Sequence, residues 1–152
     1  TVCKSMKNLL VVCVGNICRS PVAAALLAAD MPDFKVASAG IAAVVGKNVD
    51  PTAREVAEEA GVNIDEHVAR QFTPEIGEQY DLILVLEAGH KREIERIAPQ
   101  LSGRVMRLDR WTGDADIPDP YRRDRTVHES VFQRIREATA AWAARLSRSG
   151  KG

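Results

Sequence analysis

The chain has 152 residues, 45% of them hydrophobic, which suits one domain spanning 1–152 with an ordinary core and no need of a disulfide staple. Its 21 basic and 21 acidic residues cancel, so there is no general electrostatic draw to nucleic acid or anionic lipid. No apolar run approaches the ~20 residues of a membrane span, so no stable membrane insertion is expected.

The start, Thr1 to Lys7, lacks a small-residue cleavage site and does not read as a signal peptide. Residues 1–5 and the charged tail 148–152 are expected to be flexible. The three cysteines, Cys3, Cys13 and Cys18, are an odd and clustered set that suits a reducing compartment, and the expected location is the cytoplasm.

Leu9 to Val14 is a continuous apolar run closed by Gly15 and Asn16, the pattern of a strand buried on both faces. Ser20 and Pro21 read as an N-cap and first helical residue, opening a helix through Val22 to Ala29. Phe34 to Ala37 is a second strand, and Asp50-Pro51 opens a helix that runs to Gly61. Asp81 to Leu86 is a third strand, followed by a polar helix from Glu87 to Ile97, and Arg104 to Leu108 is a fourth.

After the turn-rich stretch Asp114 to Pro120 a long helix begins near Val127. Its buried face is marked by Val127, Val131, Ile135, Ala138, Trp142 and Leu146. Strands alternating with helices predict an α/β fold: a four-stranded parallel sheet with helices on both faces. In such sheets ligands bind beyond the carboxyl ends of the strands, so the turn after the first strand is the place to search.

That turn reads Cys13-Val14-Gly15-Asn16-Ile17-Cys18-Arg19-Ser20-Pro21. A loop running straight into a helix directs backbone N–H groups at one point, and the helix dipole adds positive charge there. Gly15 is expected to take positive φ where the loop curls. Arg19 offers a planar fork for two phosphate oxygens. Cys13 would lie under the phosphorus in an electropositive cradle that favours thiolate over thiol, with Ser20 donating to the sulfur. A lone cysteine at a strand end is usually a small buried hydrophobe, and a bare Cys-x5-Arg spacing is weak. The strand-to-helix context, with glycine and asparagine inside and Ser-Pro at its end, makes the motif specific for nucleophilic attack on a phosphate ester.

Cys13 to Pro21 resembles the signature of the low-molecular-weight protein tyrosine phosphatases. The resemblance continues through Ser38-Ala39-Gly40, Asp50-Pro51, His67-Val68-Ala69-Arg70-Gln71, Asp81 to Leu86 and Asp119-Pro120-Tyr121. It is similar in particular to the bacterial branch associated with capsule and exopolysaccharide production. The resemblance implies a phosphotyrosine protein substrate, in that branch a cognate tyrosine autokinase, and a monomer or weak oligomer.

Ile117-Pro118-Asp119-Pro120-Tyr121 sets a carboxylic acid in a stiff loop after the fourth strand, on the same sheet edge as Cys13. Asp-Pro is ordinary turn chemistry elsewhere in the chain, and Asp116 is a rival acid. The resemblance implies that Asp119 is the general acid of the first step and the base of the second. It also implies that Asn16, Ser20, Ser38 and His67 form a hydrogen-bonded network that holds the loop, although a histidine such as His67 is more often a half-buried surface residue. Together with Val14, Gly15, Ile17, Cys18 and Tyr121, the residues Asn16 and Ser20 complete the expected substrate-binding set. His90 and His128 fall on predicted helices and are expected to be solvated. Histidines so dispersed give no metal-ligand spacing, and no metal or cofactor is implied.

The expected pocket walls are Val14, Ile17 and Tyr121. The aromatic residue that eukaryotic members carry after the second strand is replaced by Ile41-Ala42-Ala43-Val44-Val45, leaving the opposite wall open. Arg122, Arg123 and Arg125 either form a solvated face with Asp124 and Glu129 or steer acidic substrates. Cys18 either packs beneath the loop or traps oxidised Cys13 as a disulfide.

Three rival readings stand against this one. A thiol-relay arsenate reductase needs cysteines beyond Cys18, and the chain has none. A nucleotide-binding loop at Gly46-Lys47 would need glycine at Ile41 and a hydroxyl at Asn48. A catalytically silent phosphate-binding scaffold is disfavoured by the intact set of Cys13, Arg19 and Asp119.

Overall fold

The computed structural model describes residues 7–150, with side chains to residue 147. Four strands, β1 (Asn8–Cys13), β2 (Lys35–Gly40), β3 (Leu82–Val85) and β4 (Val105–Arg107), form one parallel sheet in the order β2-β1-β3-β4. The helices are α1 (Arg19–Asp30), α2 (Pro51–Glu59), the single turn α3 (Pro74–Gly77), α4 (Ala88–Ile97) and α5 (Arg125–Gly150). Short 3-10 segments precede and follow β4.

The two faces of the central strand β1 divide the core. Leu9, Val11 and Cys13 pack with α1, α2 and α5, while Leu10 and Val12 pack with Ile83, Val85, Phe72, Ile94 and Leu101. Strand β1 is therefore apolar at every core position rather than alternating, as a parallel strand covered on both faces must be. The predicted stripe on α5 lies against the sheet, and Trp142 Nε1 closes it by donating to the Leu108 carbonyl at 2.7 Å.

The four-stranded parallel architecture agrees with expectation, and four local readings change. Helix α1 starts at Arg19 with Cys18 as its cap residue, so Pro21 is its third residue and Ser20 does not cap it. Proline is still tolerated there, because the first-turn N–H it lacks has no helical partner anyway. Strand β2 runs on to Gly40, because its last residues continue the register with β1 as far as Cys13↔Gly40. The short α3 is an element beyond those the sequence pattern predicts. Thr73 caps it through its side chain, accepting from Ile76 N, and Pro74 begins it. His90 and His128 are both buried, not solvated. His90 lies in the first turn of α4 near the acid loop, and His128 extends the buried edge of α5 towards Asp50, the residue that caps α2.

The expectations of flexible ends fall on residues 1–5, 151 and 152, which lie outside the described residues, and on 148–150, where α5 continues. Among the described residues no helix is long and apolar enough to cross a membrane.

Candidate active site

The loop between β1 and α1 is held from outside through its carbonyl groups. Those of Cys13, Val14 and Gly15 accept from the amides of Ile41, Ala42 and Val44 at 2.9, 3.0 and 3.0 Å. His67 Nε2 donates to the Asn16 carbonyl at 2.6 Å, and Asp50 N donates to that of Ile17 at 2.8 Å. Five consecutive carbonyls are thus tied to neighbouring segments. The amides of Gly15, Asn16 and Ile17 donate to no protein group among the described residues. A curl that spends its acceptors outward and keeps its donors is an anion-binding nest at a helix N-terminus.

The tightest bend falls at Asn16, with φ of 60°, and not at Gly15, whose φ is not positive. A left-handed non-glycine residue costs about 1–2 kcal/mol, and asparagine tolerates it best among side chains of its size. Asn16 is fully buried, and its amide is saturated. Nδ2 donates to Ser20 Oγ at 2.8 Å and Ser38 Oγ at 2.9 Å, while Oδ1 accepts from Arg70 N at 2.9 Å. Gly40 is required for a different reason. A Cβ there would stand 2.4 Å from the Val14 carbonyl oxygen, so only glycine lets the end of β2 approach the loop.

Cys13 ends β1 with its thiol 2.9 Å from Ser20 Oγ. Arg19, the first residue of α1, is 2% exposed. Its Nη1 donates to the Ile117 carbonyl at 2.8 Å and pairs with Glu87, while Nη2 lies 3.8 Å from Asp119 Oδ2. Two anchors on one arm leave the rest of the guanidinium to bind an anion. Glu87, the residue before α4, was not singled out in the sequence. Its only signal there is an acid directly after an apolar strand.

The rival acids separate clearly. Asp116 Oδ1 accepts from Ala88 N at 2.8 Å and from Arg107 Nη1 at 3.4 Å. The Ala88 amide, then Arg107, hold its carboxyl below the usual range, so it serves as an ionised clasp on the start of α4. Asp119 instead lines the pocket with Cys13 and Arg19, its Oδ1 accepting from Tyr121 N at 3.0 Å.

The family described as low molecular weight phosphotyrosine protein phosphatase matches residues 8–151. The chain belongs to that family. It is 44% identical over 140 residues to the low molecular weight protein-tyrosine-phosphatase Wzb of Escherichia coli K12, covering 92% of this chain and 95% of that one. Its fold superposes on Vibrio vulnificus Wzb in complex with benzylphosphonate with a TM-score of 0.91 at 44% identity, covering 93% of this chain and 99% of the other. It is also similar to the YwlE arginine phosphatase of Geobacillus stearothermophilus, with a TM-score of 0.88 at 30% identity over 93% of this chain and 94% of that one.

In this low molecular weight phosphatase the pocket above Cys13 is lined by Val14, Ile17 and Tyr121, and also by Ala42 and Val44. The side chains of Asn16 and Ser20, both in the expected substrate-binding set, are fully buried and do not line the pocket, while the Asn16 backbone amide stays among the loop donors left unpaired among the described residues. The work of those two side chains is to hold the loop's shape, together with Ser38 and His67. Burial lowers the His67 pKa below its ordinary value, with the Asn16 carbonyl opposing that shift. Cys18 is buried, and burial followed by the charges of Asp50 and Asp119 pushes its thiol far above the usual range, so it packs as a neutral group.

Proposed function

We propose that this protein-tyrosine phosphatase hydrolyses phosphotyrosine through Cys13, Arg19 and Asp119. The observation that supports it is their convergence on one pocket floored by a loop whose carbonyls are all turned away. The Cys13 thiolate attacks phosphorus, forming an S–P bond as the P–O bond to the tyrosyl oxygen breaks. Asp119 gives its proton to that oxygen. Arg19 and the loop amides hold the phosphoryl oxygens throughout. Water then attacks the cysteinyl-phosphate, Asp119 takes its proton, and the S–P bond breaks to release phosphate and the thiolate.

Aliphatic and aromatic walls suit an aryl ring, and they offer a phosphoserine side chain far less to pack against. A phosphoarginine side chain would set most of its guanidinium N–H groups against the aliphatic side chains of Val14, Ile17 and Val44, which accept no hydrogen bond, with the Asp119 carboxylate as the acceptor in the lining. By its resemblance to the bacterial branch, the physiological substrate is an autophosphorylated tyrosine kinase of capsule or exopolysaccharide export. The protein then acts in the cytoplasm, as a monomer or weak oligomer.

The test is steady-state turnover of matched phosphotyrosine, phosphoserine and phosphoarginine peptides, with chelator present, for wild type beside Cys13→Ser. Phosphotyrosine turnover that vanishes in the variant is expected. Faster turnover of either other peptide, or activity surviving in Cys13→Ser, would overturn the reading.

A further inference from the structure

Among the described residues, one buried polar side-chain atom has no protein partner: Nδ1 of His90. An atom in that state calls for a reason. His90 is 6% exposed and takes no part in the chemistry proposed above. Its other ring nitrogen, Nε2, lies 3.6 Å from Oε2 of Glu87. That same carboxylate oxygen is the one engaged by Arg19 Nη1. One oxygen therefore has the anion-binding guanidinium on one side and a buried imidazole on another.

The surroundings select the tautomer. A proton on Nε2 faces the Glu87 carboxylate. A proton on Nδ1 would leave a buried N–H without an acceptor and turn the Nε2 lone pair towards a negative oxygen. An orphaned buried N–H is the rarer and costlier of the two unmet groups. Charges reach the ring from three elements: Arg19 on α1, Glu87 at the start of α4, and Asp116 and Asp119 on the acid loop. Burial and then Arg19 disfavour the imidazolium, the three carboxylates favour it, and the net direction is below the ordinary histidine value. His90 is thus a neutral donor near neutral pH and does not compete with Arg19 as a second cation. At 3.6 Å the contact is electrostatic, and a small swing of the Glu87 carboxyl makes it a hydrogen bond.

We propose that His90 is a positioning residue for anion binding: through Nε2–H it restrains the Glu87 carboxylate, which in turn holds the Arg19 fork towards the loop. The proposal rests on the reading that Arg19 binds the phosphoryl group. Without the donor, Glu87 gains freedom at the oxygen that anchors Arg19, and the cost appears in affinity for the anion.

Inorganic sulfate is the probe, because its charge is constant across the working pH range. Its competitive inhibition constant against an aryl phosphate is measured for wild type, His90→Phe and His90→Gln, with thermal midpoints alongside. Phenylalanine keeps the bulk without a donor, and glutamine restores an N–H near the place of Nε2. His90→Leu replaces the phenylalanine variant if that one unfolds. The expected result is sulfate affinity about tenfold weaker without the donor, the scale of one hydrogen bond to a charged group, and largely recovered by glutamine. The fall should appear in KM more than in kcat. Equal affinity in all three proteins, or equal loss in both variants, overturns the proposal. Failure of sulfate to inhibit the wild type would instead sink the reading of Arg19, and this one with it.

Discussion

The Cys13 thiol and the Ser20 hydroxyl lie 2.9 Å apart, and with the sulfur as thiolate only Ser20 can donate across that contact. Arg70 N needs an acceptor, so Asn16 presents Oδ1 to it and turns Nδ2 towards Ser20 and Ser38. The Ser20 oxygen accepts from that amide, which leaves its own proton for the sulfur. The direction runs from backbone to asparagine to serine to cysteine. A hydrogen bond to a charged group is worth about 1.5–3 kcal/mol. Ser20→Ala is therefore expected to lower kcat/KM for an aryl phosphate by about tenfold or more. A variant as active as wild type would show that the hydroxyl does nothing for the nucleophile.

Asp119 reaches the pocket on a loop stiffened by Pro118 and Pro120, and its partners are weak: one backbone amide and a distant Arg19 nitrogen. A side chain so lightly held is free to meet a leaving oxygen. Asp119→Ala should reduce kcat/KM by ~10²–10⁴-fold for phenyl phosphate, and far less for an aryl phosphate whose phenol leaves readily unprotonated. The dependence of rate on leaving-group acidity therefore steepens in the variant. Asp116→Ala should instead lower the thermal midpoint through the loss of its bonds to Ala88 and Arg107, with a milder effect on rate. Equal slopes for wild type and Asp119→Ala would return the role of acid to another group.

Much of this site is local in the chain, which is why it was legible before the fold. Cys13, Arg19 and the loop between them lie within one strand-turn-helix, where spacing alone constrains geometry. Apolar runs likewise marked all four strands, although β4 is trimmed at both ends and β2 extends further than its small residues suggested. What stayed hidden depends on contacts distant in sequence. Glu87 meets Arg19 across 68 positions, and nothing in its local pattern separates it from any acid that begins a helix. His90 and His128 sit at the margins of helical stripes, where one neighbouring loop decides between solvent and core. The positive φ falls on Asn16 instead of Gly15 because three hydrogen bonds of the asparagine side chain offset a strain that glycine would have avoided.

Two histidines give stability an acid limb. Burial lowers the pKa of His67 and of His90 below 6.5 in the folded chain, while in the unfolded chain both titrate near that ordinary value. Between the folded and unfolded values the unfolded chain binds more protons, so stability rises with pH there. Their contribution is fully present above about pH 6.5 and is lost as pH falls through the folded values. Thermal midpoints measured from pH near 8 down to 5 should fall below the upper value. His67→Gln, which keeps a donor for the Asn16 carbonyl but cannot titrate, should flatten part of that fall. An identical profile for wild type and variant would remove His67 from the account.

The arginines after the acid loop divide by what they touch. Arg125 is committed to Glu55 and Glu59 of α2 and to Glu129, clasping α2 to α5. Arg122 lies over the Tyr121 ring, 5.2 Å from its centre, and neither it nor Arg123 forms an ion pair among the described residues. Tyr121 lines the pocket, so the Arg122 guanidinium is one side chain removed from it. Exposed charges of this kind act over roughly a Debye length, ~10 Å at 0.1 M salt, and chiefly on encounter rates. With a phosphotyrosine peptide carrying acidic neighbours, kcat/KM should fall with added salt. Paired reversal, Arg122→Glu with Arg123→Glu, should lower it about tenfold at low salt and flatten or invert that slope. A neutral peptide should respond to neither change. A slope for the acidic peptide that survives the reversal would reduce both arginines to solvated surface.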